Sequence, residues 1–155
     1  MERFEARREV SRIPDAGRVQ TILLVEDEDM VRKLLREVLE RLGYEVLACP
    51  HPDEGIETCR RHRGHIDLLL TDVMMPGMNG KEMAIRIAKM LPGIRVVFMS
   101  GYTEHVLLQD GEVDPRFEYL QKPFSMQTLR QRMVRVLGEA TVLQSQLASA
   151  STTPL

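Results

Sequence analysis

The 155-residue sequence is poor in the features that mark membrane, secreted and nucleic-acid-binding chains. No apolar run reaches the ~18 residues of a membrane-spanning helix, and no secretory apolar core follows the first residues. Cysteine is nearly absent. Cys49 and Cys59 form neither a CxxC pair nor a disulfide framework, and without an export signal they read as reduced core or helix residues of a cytoplasmic chain. Neither sign of charge is in large surplus: 21 Lys and Arg face 23 Asp and Glu, for a net −2. That balance gives no bulk attraction to nucleic acid or to an anionic membrane. His51, His62, His65 and His105 lack metal-ligand spacing, and the run Arg60-Arg61-His62-Arg63 reads as a solvated face. Internal repeats and a second domain are also missing. What remains, 43% apolar and 28% charged residues over a length typical of one domain, is an ordinary globular composition.

Residues 1–18 hold five Arg among four acids with no sustained apolar period, and read as a leader or linker. The segment 139–155, rich in Ser, Thr, Ala and Gln, reads as a polar tail, which leaves 19–138 as the folded domain. Within it, short apolar runs bounded by breakers predict buried strands at 21–25, 44–48, 66–71, 94–99 and 117–120. Helical spacing follows each strand. Val31, Leu34, Leu35, Val38, Leu39 and Leu42 predict a first helix, with Asp29 near its positive end and Gly43 as its stop. Weaker patterns predict helices over about 53–62, with Ile56 and Cys59 inward, and about 104–110. Ala84, Ile87, Ala88 and Leu91 mark one over 81–91, and Met126, Leu129, Met133, Val136 and Leu137 mark the inward side of one over 125–138. The ten Met mostly fall on such helix faces and read as core. Five strands alternating with five helices imply βαβ units, a parallel sheet and, with right-handed crossovers, a doubly wound α/β fold.

Polar residues sit just beyond four of these strands: Glu26 and Asp27, Asp72, Ser100, and Lys122. In an open parallel sheet they gather at the carboxyl edge, where such sheets bind ligands. Asp72 alone is compatible with a metal ligand, a nucleophile or a helix cap. Several carboxylates at one point repel unless protonated or sharing a cation. Oxygen ligands without His or Cys favour a hard ion such as Mg²⁺, which typically keeps waters and takes a phosphate oxygen. Lys122 and Ser100 suit the oxygens of a transferred phosphoryl group, and a carboxylate ionised at neutral pH needs no general base to act as nucleophile.

The segments LLVEDED, LLLTDVMMPGMNG, VVFMSGYT and YLQKPFS, in this order and spacing, resemble a response regulator receiver domain, the phospho-acceptor module of two-component signalling. The resemblance covers roughly residues 20–138, and the run MSGYT…YLQKPFS is similar to receivers attached to hybrid histidine kinases. It implies a flavodoxin-like three-layer α/β/α fold with a five-stranded parallel sheet of order 2-1-3-4-5. It also makes Asp72 the phosphorylated residue. Asp27 and Asp72 become direct Mg²⁺ ligands (Mn²⁺ being an alternative ion), Glu26 a ligand directly or through water, and the Met74 main-chain carbonyl the last protein ligand. Ser100 and Lys122 become the phosphoryl-binding hydroxyl and lysine, Tyr119 the aromatic switch, and Lys122–Pro123 a candidate cis bond. Glu26 stands where Asp is frequent in the family, and Ser100 where Thr is. Met74 and Tyr102 flank the site and are expected to hinder water and lengthen the life of the phosphate.

The implied partners are a histidine kinase or phosphotransfer protein as donor and a downstream protein at the face formed by the fourth helix, fifth strand and last helix. That face is also a candidate homodimer surface. The chain is expected to catalyse only its own phosphoryl transfer and slow dephosphorylation, with no output domain of its own. Two rival classes fit less well. A haloacid dehalogenase-type phosphatase needs a second Asp two residues after the first, where Met74 stands. A flavodoxin-like nucleotide binder needs a phosphate-cradling loop where Glu26-Asp27-Glu28-Asp29 would repel phosphate. A receiver-like interaction module that is never phosphorylated would be favoured by lost site residues, and none is lost.

Overall fold

The computed structural model describes residues 18–101 and 116–138. The expected helix over 104–110 and Tyr102 lie outside the described residues, as do most of the leader and the tail. In chain order the elements are β1 (Thr21–Val25), α1 (Asp29–Arg41), β2 (Glu45–Cys49), α2 (Pro52–Arg61), β3 (Leu68–Asp72), α3 (Gly80–Met90), β4 (Arg95–Ser100), β5 (Phe117–Gln121) and α4 (Met126–Leu137). The strands form one sheet of order β2-β1-β3-β4-β5 with every neighbouring pair parallel.

The central strands are covered on both faces, so their sequences are continuous apolar runs rather than alternating ones. Leu23, Val25, Leu69, Val96 and Phe98 point to one face. There they pack with Ile56 and Cys59 of α2 and Met83, Ala84, Ile87 and Ala88 of α3. Ile22, Leu24, Leu68, Leu70, Val97 and Met99 point to the other, against Leu35 and Leu39 of α1 and Leu129, Met133 and Val136 of α4. Three layers result. At the amino edge of the sheet, Asp67 accepts from Thr21 N (2.8 Å) and pairs with Arg18 (2.6 Å), which ties the start of β1 to the approach to β3. Side-chain caps open the two later helices: Asn79 accepts from Glu82 N at 2.7 Å and Ser125 from Thr128 N at 3.1 Å. No helix among the described residues is long and apolar enough to cross a membrane.

Several expectations need correction. β2 begins one residue later than the apolar run suggested, because Tyr44 remains tied to the end of α1 through its N–H to Leu39 O (3.2 Å). β3 starts at Leu68 and continues through Asp72; Ile66 is buried but precedes the strand. Leu34 is 52% exposed, since the inward stripe of α1 runs through Leu35 and Leu39 and leaves it on the flank. Met126, the first residue of α4, is 39% exposed, and Met30 and Met74 are more exposed still, so the methionines are not uniformly core.

Gly55 shows how closely α2 lies on the sheet. A Cβ there would stand 2.9 Å from Val25 Cγ2 and 3.2 Å from Met83 Sδ. Met83 is flexible, but the branched Val25 side chain is not. Gly55→Ala therefore sets a helix-propensity gain of ~1 kcal/mol against an overpacking cost of ~1–3 kcal/mol. The expected outcome is a net loss of about 1 kcal/mol, seen as a lower urea midpoint at unchanged slope; a higher midpoint would contradict it.

The candidate cation and phosphoryl site

The strand register assembles the site. Val25 lies opposite Thr71 across the β1–β3 pair, so the next residues, Glu26 and Asp72, emerge side by side. Asp72 lies opposite Met99, which brings Ser100 one step beyond it, and Ser100 lies opposite Gln121, which brings Lys122 one step further. A backbone bond from Lys122 N to Ser100 O (2.7 Å) fixes that last step. The peptide bond from Lys122 to Pro123 is cis.

Ligand atoms of Glu26, Asp27 and Asp72 all lie within 4.8 Å of one another. Glu26 and Asp72 are buried, at 1% and 7% exposure, and Asp27 is half-buried. Lys122 Nζ bonds Asp72 Oδ1 and stands 3.8 Å from Glu26 Oε2. That single positive charge does not balance three acids. Burial, helped by the nearby Asp72 carboxyl, pushes the Glu26 pKa up to about 8, against weaker lowering by the Glu28 N–H and Lys122. Burial acts to lower the Lys122 pKa, but its bond to Asp72 and the carboxylates of Asp72, Glu26 and Glu28 outweigh this and hold it above the usual lysine value.

Among the described residues, two buried oxygens in this group, Glu26 Oε2 and Ser100 Oγ, have no hydrogen-bond partner. Buried polar atoms are rarely left so. An all-oxygen donor set with an unsatisfied carboxylate oxygen fits a hard divalent cation, and an unsatisfied hydroxyl beside a lysine fits an oxyanion. The other expected residues are less central. Tyr119 stacks on Phe98 (centroids 5.5 Å apart) on the face that carries α2 and α3. Met74 is 61% exposed on the loop after β3. Glu28 donates its N–H to Glu26 Oε1 (3.2 Å), and Asp29 pairs with Arg32 (2.5 Å).

Sequence reasoning passed over three residues. Thr71 Oγ1 donates to the Asp72 carbonyl at 3.0 Å. Gly80 packs against that same carbonyl: a Cβ at this position would lie 1.9 Å from Asp72 O, and Gly80 N donates to Val73 O at 2.7 Å. Gly80 thus folds the loop back beneath Asp72, a role no side chain permits. Its place after Pro76 and Gly77 signals only a turn. Arg32 reaches back from α1 to the Glu26 carbonyl at 2.9 Å.

The family model of the response regulator receiver domain matches residues 22–134, and the chain belongs to that family of two-component signalling modules. Receiver domains as a family accept phosphoryl groups and bind Mg²⁺ at an acidic pocket. Among relatives, the sensor kinase CckA of Brucella abortus is 34% identical over 122 residues, 79% of this chain but 13% of the kinase. The response regulator receiver protein CpdR of the same organism is 32% identical over 77% of this chain and 98% of its own length. The crystal structure of the receiver domain from the hybrid histidine kinase CckA matches with a TM-score of 0.65 at 32% identity, over 76% of this chain and 98% of that one.

The raised Glu26 pKa has a direct consequence for the metal-free protein. Folded, the carboxyl keeps its proton to about pH 8; unfolded, it loses it near its ordinary value of 4.5. The folded state binds more protons in that window, so stability falls as pH rises through it. In EDTA, urea stability of the wild type should decline from pH 5 to pH 8 more steeply than that of Glu26→Gln. Equal slopes would refute the assignment.

Proposed function

We propose that the chain accepts a phosphoryl group from the phosphohistidine of a histidine kinase or phosphotransfer protein onto Asp72. The observation that carries this reading is the cluster of buried Glu26 and Asp72 with half-buried Asp27, with Lys122 bonded to Asp72 and a Ser100 hydroxyl that has no hydrogen-bond partner among the described residues. Glu26, Asp27, Asp72 and the Met74 carbonyl would hold Mg²⁺ or Mn²⁺. When bound, the cation supplies neutralisation of the acceptor carboxylate and of the phosphoryl oxygens.

The Asp72 carboxylate attacks phosphorus in line. An O–P bond forms as the P–N bond to imidazole breaks, and the electron pair leaves with the imidazole, which takes a proton from solvent. Lys122 turns from Asp72 to the phosphoryl oxygens, and Ser100 donates its hydroxyl to one of them. The chain is modified by the reaction, so it acts as a phosphorelay component rather than a turnover enzyme. Met30 in the first turn of α1, Met74 two residues beyond Asp72 and Met126 at the start of α4 are exposed apolar groups beside the site residues in sequence, suited to a donor protein's surface.

The signal leaves through the face made by β5 and α4, where a downstream protein or a second copy docks. Arg132 of α4 supports this coupling, bonding both Tyr119 O (2.7 Å) and Glu118 Oε2 (3.1 Å) of β5. Ser100 moving toward the phosphoryl group lets Tyr119 turn inward, a population shift of ~1–3 kcal/mol. Residues 19–138 form the receiver, flanked by a leader and a polar tail.

Intact mass after incubation with acetyl phosphate and Mg²⁺ tests the acceptor. One added phosphoryl group is expected on the wild type and none on Asp72→Ala; addition to both, or to neither with phosphorylated kinases as donors, would defeat the proposal. Met74 shields the phosphate from water. Met74→Asn should therefore shorten its lifetime in a dephosphorylation time course, and an unchanged lifetime would remove Met74 from that role.

A further inference from the structure

Glu26 and Asp27 belong to a three-residue connection between β1 and α1, and little holds it. Glu26 N donates to Cys49 O at 3.1 Å, Glu28 N to Glu26 Oε1 at 3.2 Å, and Arg32 N to Glu28 O at 2.9 Å as the helix begins. Glu28, at the N-cap of α1, makes no side-chain cap bond. The Arg32 side chain, 17% exposed, spans the gap instead. One terminal nitrogen bonds the Glu26 main-chain oxygen at 2.9 Å, and the other bonds Asp29 Oδ1 at 2.5 Å.

Helix electrostatics do not account for this placement. A cation in the first turn opposes the helix dipole, which favours acids there. Nor does it serve a cation site through charge, because a guanidinium repels a divalent ion. What Arg32 contributes is geometry: a rigid fork whose two donors fix a backbone oxygen and a carboxylate together. The fixed oxygen belongs to the residue whose carboxyl lies buried in the acidic cluster.

We infer that Arg32 is a positioning residue for the cation site: by gripping the Glu26 carbonyl from α1 and bracing on Asp29, it sets where Glu26 and Asp27 present their carboxylates to a divalent cation. The inference rests on the cation-binding reading proposed above. Arg32 itself touches neither ion nor phosphoryl group.

Charge and geometry predict opposite signs, which makes the test decisive. Removing a nearby positive charge tightens Mg²⁺ binding if only electrostatics matter; losing the brace weakens it. Mg²⁺ affinity of the unphosphorylated full chain is measured by calorimetric titration for wild type, Arg32→Gln and Arg32→Lys, with urea unfolding in EDTA to establish that each variant is folded. Arg32→Lys keeps the charge and loses the fork, so it carries the test even if the Gln variant does not fold. Both variants are expected to bind Mg²⁺ about tenfold more weakly, the usual effect of losing an outer support of a metal site. Affinity tighter than or within about threefold of wild type in Arg32→Lys overturns the inference while leaving the cation site standing. A wild type that binds no Mg²⁺ overturns both.

Discussion

The structure turns on the confinement of like charge at one edge of a sheet. Glu26 and Asp72 are buried beside Asp27, with one lysine to offset three acids. Such a group is stable only with a proton held in it or a cation bound to it, and in the folded chain the proton stays on Glu26 well above its ordinary range. A cation bound there would take the place of that proton, so the same acids would enter both the folding energetics and metal binding. The surrounding architecture keeps the acids together against their repulsion.

The sheet does this by register. Strands buried on both faces have little freedom to slip, because a shift of one residue would turn every apolar side chain to the wrong layer. Their ends therefore deliver Glu26, Asp72, Ser100 and Lys122 in a fixed row. Close backbone contacts finish the work. Gly80 lies against the Asp72 carbonyl and Gly55 against Val25, the residue before Glu26, so both ends of the acidic cluster are seated on contacts that admit no extra carbon.

Much of this was legible in the sequence. Five apolar runs ending in breakers gave the strands to within two residues, and the polar residues beyond them gave the row at the carboxyl edge. Periodicity was less informative at the flanks and ends of helices: Leu34 and Met126 follow the apolar spacing yet are exposed, one beside the buried stripe of α1 and the other at the first residue of α4. The supports of the site were not legible. Gly80 reads as one more turn residue and Arg32 as one more helix-surface cation, because a contact with a carbonyl oxygen depends on how the loop folds back. The segment carrying Tyr102 had the weakest pattern in the chain and lies outside the described residues.

The bond from Lys122 N to Ser100 O has a mechanical meaning. The two groups suited to an oxyanion sit on neighbouring strands, and this hydrogen bond is the final rung between them. A displacement of the Ser100 main chain would therefore carry the Lys122 backbone with it. Ser100 and Lys122 are thus joined as one jaw rather than standing as two independent fingers, and β5 is hinged to it by the same bond.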